Sequence, residues 1–333
     1  MAKQWTREEV LELARSFQPA CILAAAADLD VFSALAPRGL TAEEVANVAS
    51  SDIRGMTILL DALTALQLLD KQDDHYLVPE SLKPVLTEQG ASSVLAMAQH
   101  QANCLRRWAQ LAWVIKNGRP AERTPSIRGE EADAASFIGA MKNLSAPLAR
   151  KIIRELGPFA FRHLLDVGGA SGTWTLAFLE ACPAGKATLF DLPRVLPMAK
   201  QFLTEAGVMD RVNLVGGDYL VGPLPSGADL VWVSAIVHQN SRAQNQALFA
   251  QVFQSLESGG RIAIRDILMD QTRTLPVAGA LFAVNMLVGT HSGGTFTYEE
   301  MTEDLEVAGF RDIAVARRDE GMNSIVVARK PSL

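Results

Sequence analysis

From residue 163 onward, short apolar runs alternate with longer stretches in which apolar residues recur every three or four positions. The runs at 163–167, 187–190, 212–215, 229–234 and 261–265 have the length of buried strands, and two more follow at 313–317 and 324–329. Strands separated by helical patterns predict an α/β fold: a mostly parallel sheet with right-handed crossovers and helices on both faces. Upstream the pattern is helical. Pro19 to Leu35 is alanine-rich and apolar around most of its circumference, which predicts one helix buried on nearly all sides. Thr41-Ala-Glu-Glu44 has the form of a capping box opening a second helix. Ser51 is read as the cap of a third helix over 52–66, and 68–78 as a β-hairpin turning through Asp73-Asp74. That order is the order of a winged helix. Residues 89–157 read as helical, interrupted by a Pro- and Arg-containing loop at 118–129, and 134–156 carries Phe137, Met141, Leu144 and Leu148 on one face. The expected organisation is a winged-helix-like domain over 1–88, a helical connecting layer over 89–157 and the α/β domain over 158–333.

Polar and glycine residues gather where the expected strands end. The run His163-Leu-Leu-Asp-Val-Gly-Gly-Ala-Ser-Gly172 closes the first strand at Asp166 and Val167 and then turns through Gly168, Gly169 and Gly172. Glycine there permits a sharp turn and lets a ligand approach the main chain closely, although many strand-to-helix turns need glycine for steric reasons alone. The second strand ends on Asp191, 23 positions after Gly168, where an acid can accept hydrogen bonds from ribose hydroxyls. The third runs into Asp218-Tyr219, an acid and an aromatic suited to holding an adenine by one hydrogen bond and one stacking face. The full G-x-G-x-x-G spacing is missing, since Ala170 takes the middle position. The pyrophosphate cradle of a nicotinamide dinucleotide is therefore absent, and a nucleoside without phosphate fits better.

Charge and composition narrow the field. The chain has 333 residues, 49% hydrophobic and 20% charged, with a net charge of −6. That balance suits a packed globule and argues against a nucleic-acid partner, which ordinarily requires a basic face. A winged-helix DNA-binding regulator is the competing class. Its third helix would offer only Arg54 as a cation, beside Asp52 and Asp61, which phosphate repels. No stretch approaches about 18 consecutive apolar residues and no secretory segment opens the chain, so neither a membrane partner nor export is expected. Cys21, Cys104 and Cys182 are widely spaced in apolar helical contexts and read as reduced core residues, without metal-ligand spacing. A cytoplasmic enzyme that binds no metal is the expectation.

Asp166-Val-Gly-Gly-Ala-Ser-Gly172, Asp191-Leu192-Pro193, Gly217-Asp218-Tyr219, His238 and Gly259-Gly260 fall in the order and spacing of S-adenosylmethionine-dependent methyltransferases. More narrowly, the whole chain resembles the small-molecule O-methyltransferases of plant phenylpropanoid and bacterial natural-product pathways. The resemblance implies a Rossmann-like class I methyltransferase sheet and an N-terminal winged-helix module that builds a homodimer. It further implies transfer of a methyl group from S-adenosyl-L-methionine to a hydroxyl of an aromatic or polycyclic small molecule. Asp166, Gly168, Gly169, Gly172, Asp191, Leu192, Asp218, Tyr219 and Ser234 would hold the donor. His238, four positions past Ser234 at the exit of the fourth strand, would be the general base. Asp266, at the tip of the neighbouring fifth strand, would orient it, unless it is simply a solvated strand-end acid.

Phe137 and Met141 match acceptor-lining positions of the family. The apolar helix over 275–289 turns Phe282, Asn285 and Met286 one way, over the acceptor or, in the plainer reading, into the core. Four positions depart from the family pattern. Gln239 and Asn240 follow the histidine in place of aspartate and tryptophan, Ser234 stands where a lysine is common, and Thr295 replaces a second acid. These departures keep open a weakened base, or methylation of carbon or nitrogen.

Overall fold

The computed structural model describes residues 3–157 and 160–332. The side chains of Lys142 and Leu144 lie outside the described residues, as do residues 158 and 159, where the α/β domain is expected to begin. The chain divides into two compact units, one up to Ala109 with Glu122–Asn143, the other Gln110–Ala121 with everything from Leu144 on. Residues 89–157 are thus shared between the two.

The first unit opens with α1 Arg7–Arg15, α2 Phe17–Asp28 and α3 Val31–Leu35, then strand β1 Leu40–Thr41. Helices α4 Ala42–Val48 and α5 Ile53–Ala65 follow, then the hairpin β2 Asp70–Gln72 and β3 His75–Leu77, and α6 Lys83–Leu86. β3 pairs with both β1 and β2, which completes a winged-helix arrangement. The capping box is formed as expected: the Thr41 hydroxyl accepts from Glu44 N, and Glu44 accepts from Thr41 N at 2.8 Å. Two details differ. The cap of α5 is Asp52, whose carboxylate accepts from Gly55 N at 2.7 Å, while the Ser51 hydroxyl turns back to the Ala46 carbonyl. The expected helix over 19–35 is broken between α2 and α3, because Asp30 takes a left-handed conformation with φ of 53°.

The burial expected for that apolar helix is incomplete. Ala26, Ala27, Val31, Phe32 and Leu35 are buried in a core with Leu60, Leu63 and Tyr76, but Pro19 and Ala20 are exposed and residues 21–25 only half-buried. Just upstream, Phe17 is 55% exposed and Leu13 60%. By length and composition the run Arg7–Asp28 would suffice to cross a membrane. Ser16 interrupts it, however, with its hydroxyl bonded to the Leu13 carbonyl. Helices α7 Leu95–Trp108, α8 Leu111–Asn117 and α9 Glu130–Glu155 complete the helical region; α8 falls in the second unit and α9 passes from one unit to the other after Asn143. Within the first unit, Gln99 of α7 donates to the Ala27 carbonyl and accepts from Ser136 of α9.

The second unit is built on seven strands: β4 His163–Val167, β5 Lys186–Asp191, β6 Val212–Gly216, β7 Ala228–Ser234, β8 Leu256–Asp266, β11 Arg311–Arg317 and β12 Ser324–Arg329. A separate two-stranded parallel pair joins β9 Leu268–Met269 to β10 Phe296–Thr297. The sheet order is β11-β12-β8-β7-β4-β5-β6, with β4 through β8 parallel and β12 antiparallel to both its neighbours. The chain leaves β4 toward β5 and β6, then returns to β7 on the other side, so strand order reverses between β4 and β7. Helices α10 Thr173–Ala181 and α11 Leu196–Glu205 pack on one face with the end of α9. Helices α12 Arg242–Ser255 and α14 Tyr298–Val307 pack on the other. α13 Val277–Gly289 precedes α14, and its Val288 carbonyl accepts from Ala121 N at 3.0 Å. The pleat divides the strands cleanly: Val231, Val233, Ile262 and Ile264 face the α12 side, while Leu230, Trp232 and Ala263 face α10.

Candidate active site

The loop after β4 is shaped by contacts beneath it. Gly168, Ala170 and Gly172 all have positive φ, at 69°, 47° and 81°. A Cβ on Gly168 would come within 2.5 Å of Ile236 Cδ1, just past β7, and one on Gly169 within 2.5 Å of Leu189 Cγ. Only glycine lets the loop lie this close to the sheet, at the point where strand order reverses.

Asp191 ends β5 and anchors the same loop. One carboxylate oxygen accepts from Ala170 N at 2.8 Å, the other from Leu192 N at 2.7 Å. Burial pushes its pKa upward, with those two N–H bonds acting in the opposite direction. Each oxygen keeps a further lone pair. Asp166 occupies a different place: it is sealed under the loop, only 1% exposed, and accepts from the Thr175 hydroxyl at 2.6 Å. Burial pushes its pKa up to about 7; the Thr175 bond opposes the rise and the Asp191 charge adds to it. Glycines that no Cβ could replace, beside a strand-end acid with acceptor capacity left, fit a nucleoside with its ribose toward Asp191.

Beyond β6, the Asp218 carboxylate accepts from Leu220 N at 2.9 Å. Tyr219 is half-buried against the α12-side core and donates to Asn240 Oδ1 at 3.3 Å. Ser234, at the tip of β7, accepts from the Arg265 guanidinium at 3.0 Å. Arg265 is buried, bonded also to Asn323 Oδ1 and stacked over Trp174 at 4.8 Å. Burial lowers its pKa to about 10. The sequence signal was a charged residue closing the apolar run Ile262-Ala-Ile264, directly before Asp266.

His238 lies in a short turn just after β7, 6% exposed. Its Nδ1 is 2.9 Å and 3.0 Å from the two Asp266 oxygens, and its main-chain N–H donates to the same carboxylate at 3.2 Å. Asp266 is therefore no solvated strand-end acid: it is 3% exposed and also accepts from Ile267 N. A carboxylate on Nδ1 fixes the tautomer with the proton there and leaves Nε2 as an acceptor. The Phe282 ring stands edge-on to the imidazole at 4.8 Å. Gly294 N donates to the His238 carbonyl at 2.9 Å, so the glycine pair before Thr295 docks on the histidine's own backbone. Thr295 itself is buried.

The acceptor candidates fall in two groups. Phe282, Asn285 and Met286 share α13 of the second unit, with Met286 buried. Phe137 and Met141 belong to the α9 segment of the first unit, where Phe137 packs edge-on against His100 at 5.2 Å. Burial lowers the His100 pKa. Among the described residues, no three His, Cys, Asp or Glu side chains are grouped to hold a metal ion. Asn240 and Asn245, both buried beside the His238 turn, had no signal in the sequence beyond the departure at 240.

Residues 108–311 match the model of the O-methyltransferase domain and residues 11–95 that of the O-methyltransferase dimerisation domain. The 3-hydroxy-5-methyl-1-naphthoate 3-O-methyltransferase of Streptomyces sahachiroi is 30% identical over 92% of this chain and 91% of its own length. The N,N-dimethyltransferase OxyT of Streptomyces rimosus is 28% identical over 97% of this chain and 96% of that protein. Human N-acetylserotonin methyltransferase, solved in complex with S-adenosylmethionine, superposes with a TM-score of 0.83 at 26% identity, covering both chains completely. The chain belongs to the S-adenosylmethionine-dependent O-methyltransferase family, with its catalytic and dimerisation domains both present.

Proposed function

We propose that this enzyme methylates a hydroxyl group of an aromatic or polycyclic small molecule, with His238 as general base. The observation that carries the reading is the buried His238–Asp266 pair at the carboxyl edge of the sheet. S-adenosylmethionine supplies a methyl group on a positively charged sulfur, already activated for in-line displacement. Gly168, Gly169, Asp191 and Leu192 would hold its nucleoside, with Asp218 and Tyr219 at the base and Ser234 at the amino-acid end. Asp166 acts from beneath, by supporting the glycine loop. His238 Nε2 takes the proton of the acceptor hydroxyl, and Asp266 stabilises the resulting imidazolium. Phe282 walls the imidazole, and Asn285 and Met286 extend that wall. Phe137 and Met141 keep an acceptor-contacting role on the family resemblance alone. Two subunits associate through the apolar residues that α1 and α2 expose, Leu13 and Phe17 among them.

Nitrogen methylation is the second reading. It is favoured by the OxyT relative and by Thr295 in place of a second acid, since an amine free base needs no strong base to react. Screening phenols, hydroxynaphthoates and aromatic amines for release of S-adenosylhomocysteine separates the two. Turnover with hydroxylated aromatics is expected; turnover confined to amines would overturn the O-methyl assignment.

A further inference from the structure

Asn240 stands two residues past His238 and is 2% exposed. Its Oδ1 accepts from the Tyr219 hydroxyl at 3.3 Å, and its Nδ2 donates to Asn245 Oδ1 at 3.0 Å. Asn245, 1% exposed in the first turns of α12, donates in turn to the Val237 carbonyl at 3.1 Å. A carbonyl can only accept, so the direction of every link is fixed: Val237 O requires the Asn245 amide N–H, which turns Asn245 Oδ1 toward Asn240, which turns Asn240 Oδ1 toward the tyrosine O–H. Burial raises the Tyr219 pKa, so the hydroxyl keeps its proton as donor. The other side of Tyr219 is pinned as well, since Gln251 Nε2 donates to its carbonyl at 3.0 Å.

The chain of bonds therefore begins at the aromatic after β6 and ends on the peptide that carries His238. Two further bonds act on that residue's backbone: the Asp266 carboxylate on the His238 N–H, and Gly294 N on the His238 carbonyl. A buried amide pair held through both its oxygens and its N–H groups favours one arrangement, and breaking one link leaves the rest unsatisfied.

We propose that Asn240 is a positioning residue that couples the donor's nucleoside site at Tyr219 to the placement of the His238 ring, through Asn245 and the Val237 carbonyl. The proposal rests on the reading above that Tyr219 flanks the nucleoside. A ligand against Tyr219 bears on the tyrosine hydroxyl, and the two asparagines carry that constraint to the backbone of His238. Coupling of this kind is a free energy shared by two places, so it is visible at either end.

The test uses the full-length enzyme with selectively nitrogen-15-labelled histidine and S-adenosylhomocysteine as the probe. The chain has five histidines, and His238→Ala assigns the signal of interest. In the wild type, saturation with S-adenosylhomocysteine is expected to displace the His238 ring-nitrogen signals. In Asn240→Asp, which keeps the acceptor for Tyr219 but has no N–H for Asn245, the displacement is expected to vanish although the ligand still binds by calorimetry. Tyr219→Phe removes a single hydroxyl, leaves the ring in place and should behave the same way, which keeps the test open if Asn240→Asp fails to fold. Displacement equal to wild type in Tyr219→Phe or Asn240→Asp, or no displacement in the wild type despite binding, would overturn the coupling and leave the general-base reading standing. Absence of any binding to the wild type would remove both together.

Discussion

Replacing Asp166 by asparagine should change how stability depends on pH, and the size of the change follows from the site. The carboxyl group is 1% exposed, accepts from the Thr175 hydroxyl and lies near the Asp191 charge, and its pKa rises from 3.8 to about 7. The folded protein keeps this proton up to neutral pH, whereas the unfolded chain releases it near its ordinary value of about 4. Stability must therefore fall as pH rises through that window, because the folded state binds more protons. At about 1.4 kcal/mol per pH unit, the wild type should lose about 3 kcal/mol between pH 5 and pH 8 through this one group. An asparagine side chain has the same shape, can still accept from Thr175 and carries no charge at any pH. The assay is urea unfolding of the donor-free protein at pH 5, 6, 7 and 8, followed by near-ultraviolet circular dichroism of the Trp174 and Trp232 rings, 5.1 Å apart. The Asp166→Asn variant is expected to gain on the wild type progressively toward pH 8. A difference between the two proteins that is the same at pH 5 and pH 8 would show that Asp166 is ionised in the folded state, and the reasoning would fail.

Two further outcomes are expected. Asp191→Ala should weaken S-adenosylhomocysteine binding by about 1–3 kcal/mol in calorimetry, since it leaves the Ala170 and Leu192 N–H groups and the ribose hydroxyls without an acceptor; unchanged affinity would place the nucleoside elsewhere. Light scattering at micromolar concentration should report a dimer, of the kind that buries above about 2,000 Å², and Phe17→Glu with Leu13→Glu should shift it toward monomer; a monomeric wild type would contradict the use assigned to that face.

The strands were legible because burial on both faces demands it. Leu164, Val231, Ile262 and their neighbours have to be apolar in a sheet covered by helices on either side, so their runs stand out in the chain. The capping box at Thr41 was legible for a similar reason, because both partners lie within one turn. Two kinds of feature were not: local ones with a weak pattern, and those that depend on distant partners. The break at Asp30 does not show in composition, and α1 is polar enough to be passed over although Thr6 and Glu9 form a capping box of their own. The β9–β10 pair is only two residues long in each strand. At the candidate site, position at or just past a strand end is what picked out Asp191, His238 and Asp266. The Arg265–Asn323 bonds and the Tyr219–Asn240 link span 58 and 21 positions, and no local pattern announces either.

The most direct test of the proposed chemistry compares His238→Ala with the wild type on an acceptor found by the S-adenosylhomocysteine-release screen. Because the imidazole is held by Asp266 and faces Phe282, its loss should remove proton transfer without disturbing the nucleoside site. A fall in kcat of about 10²–10⁴-fold is expected, with S-adenosylhomocysteine affinity close to wild type. Turnover near the wild-type rate in His238→Ala would contradict general-base catalysis at this residue and leave approach and orientation as the only source of the rate.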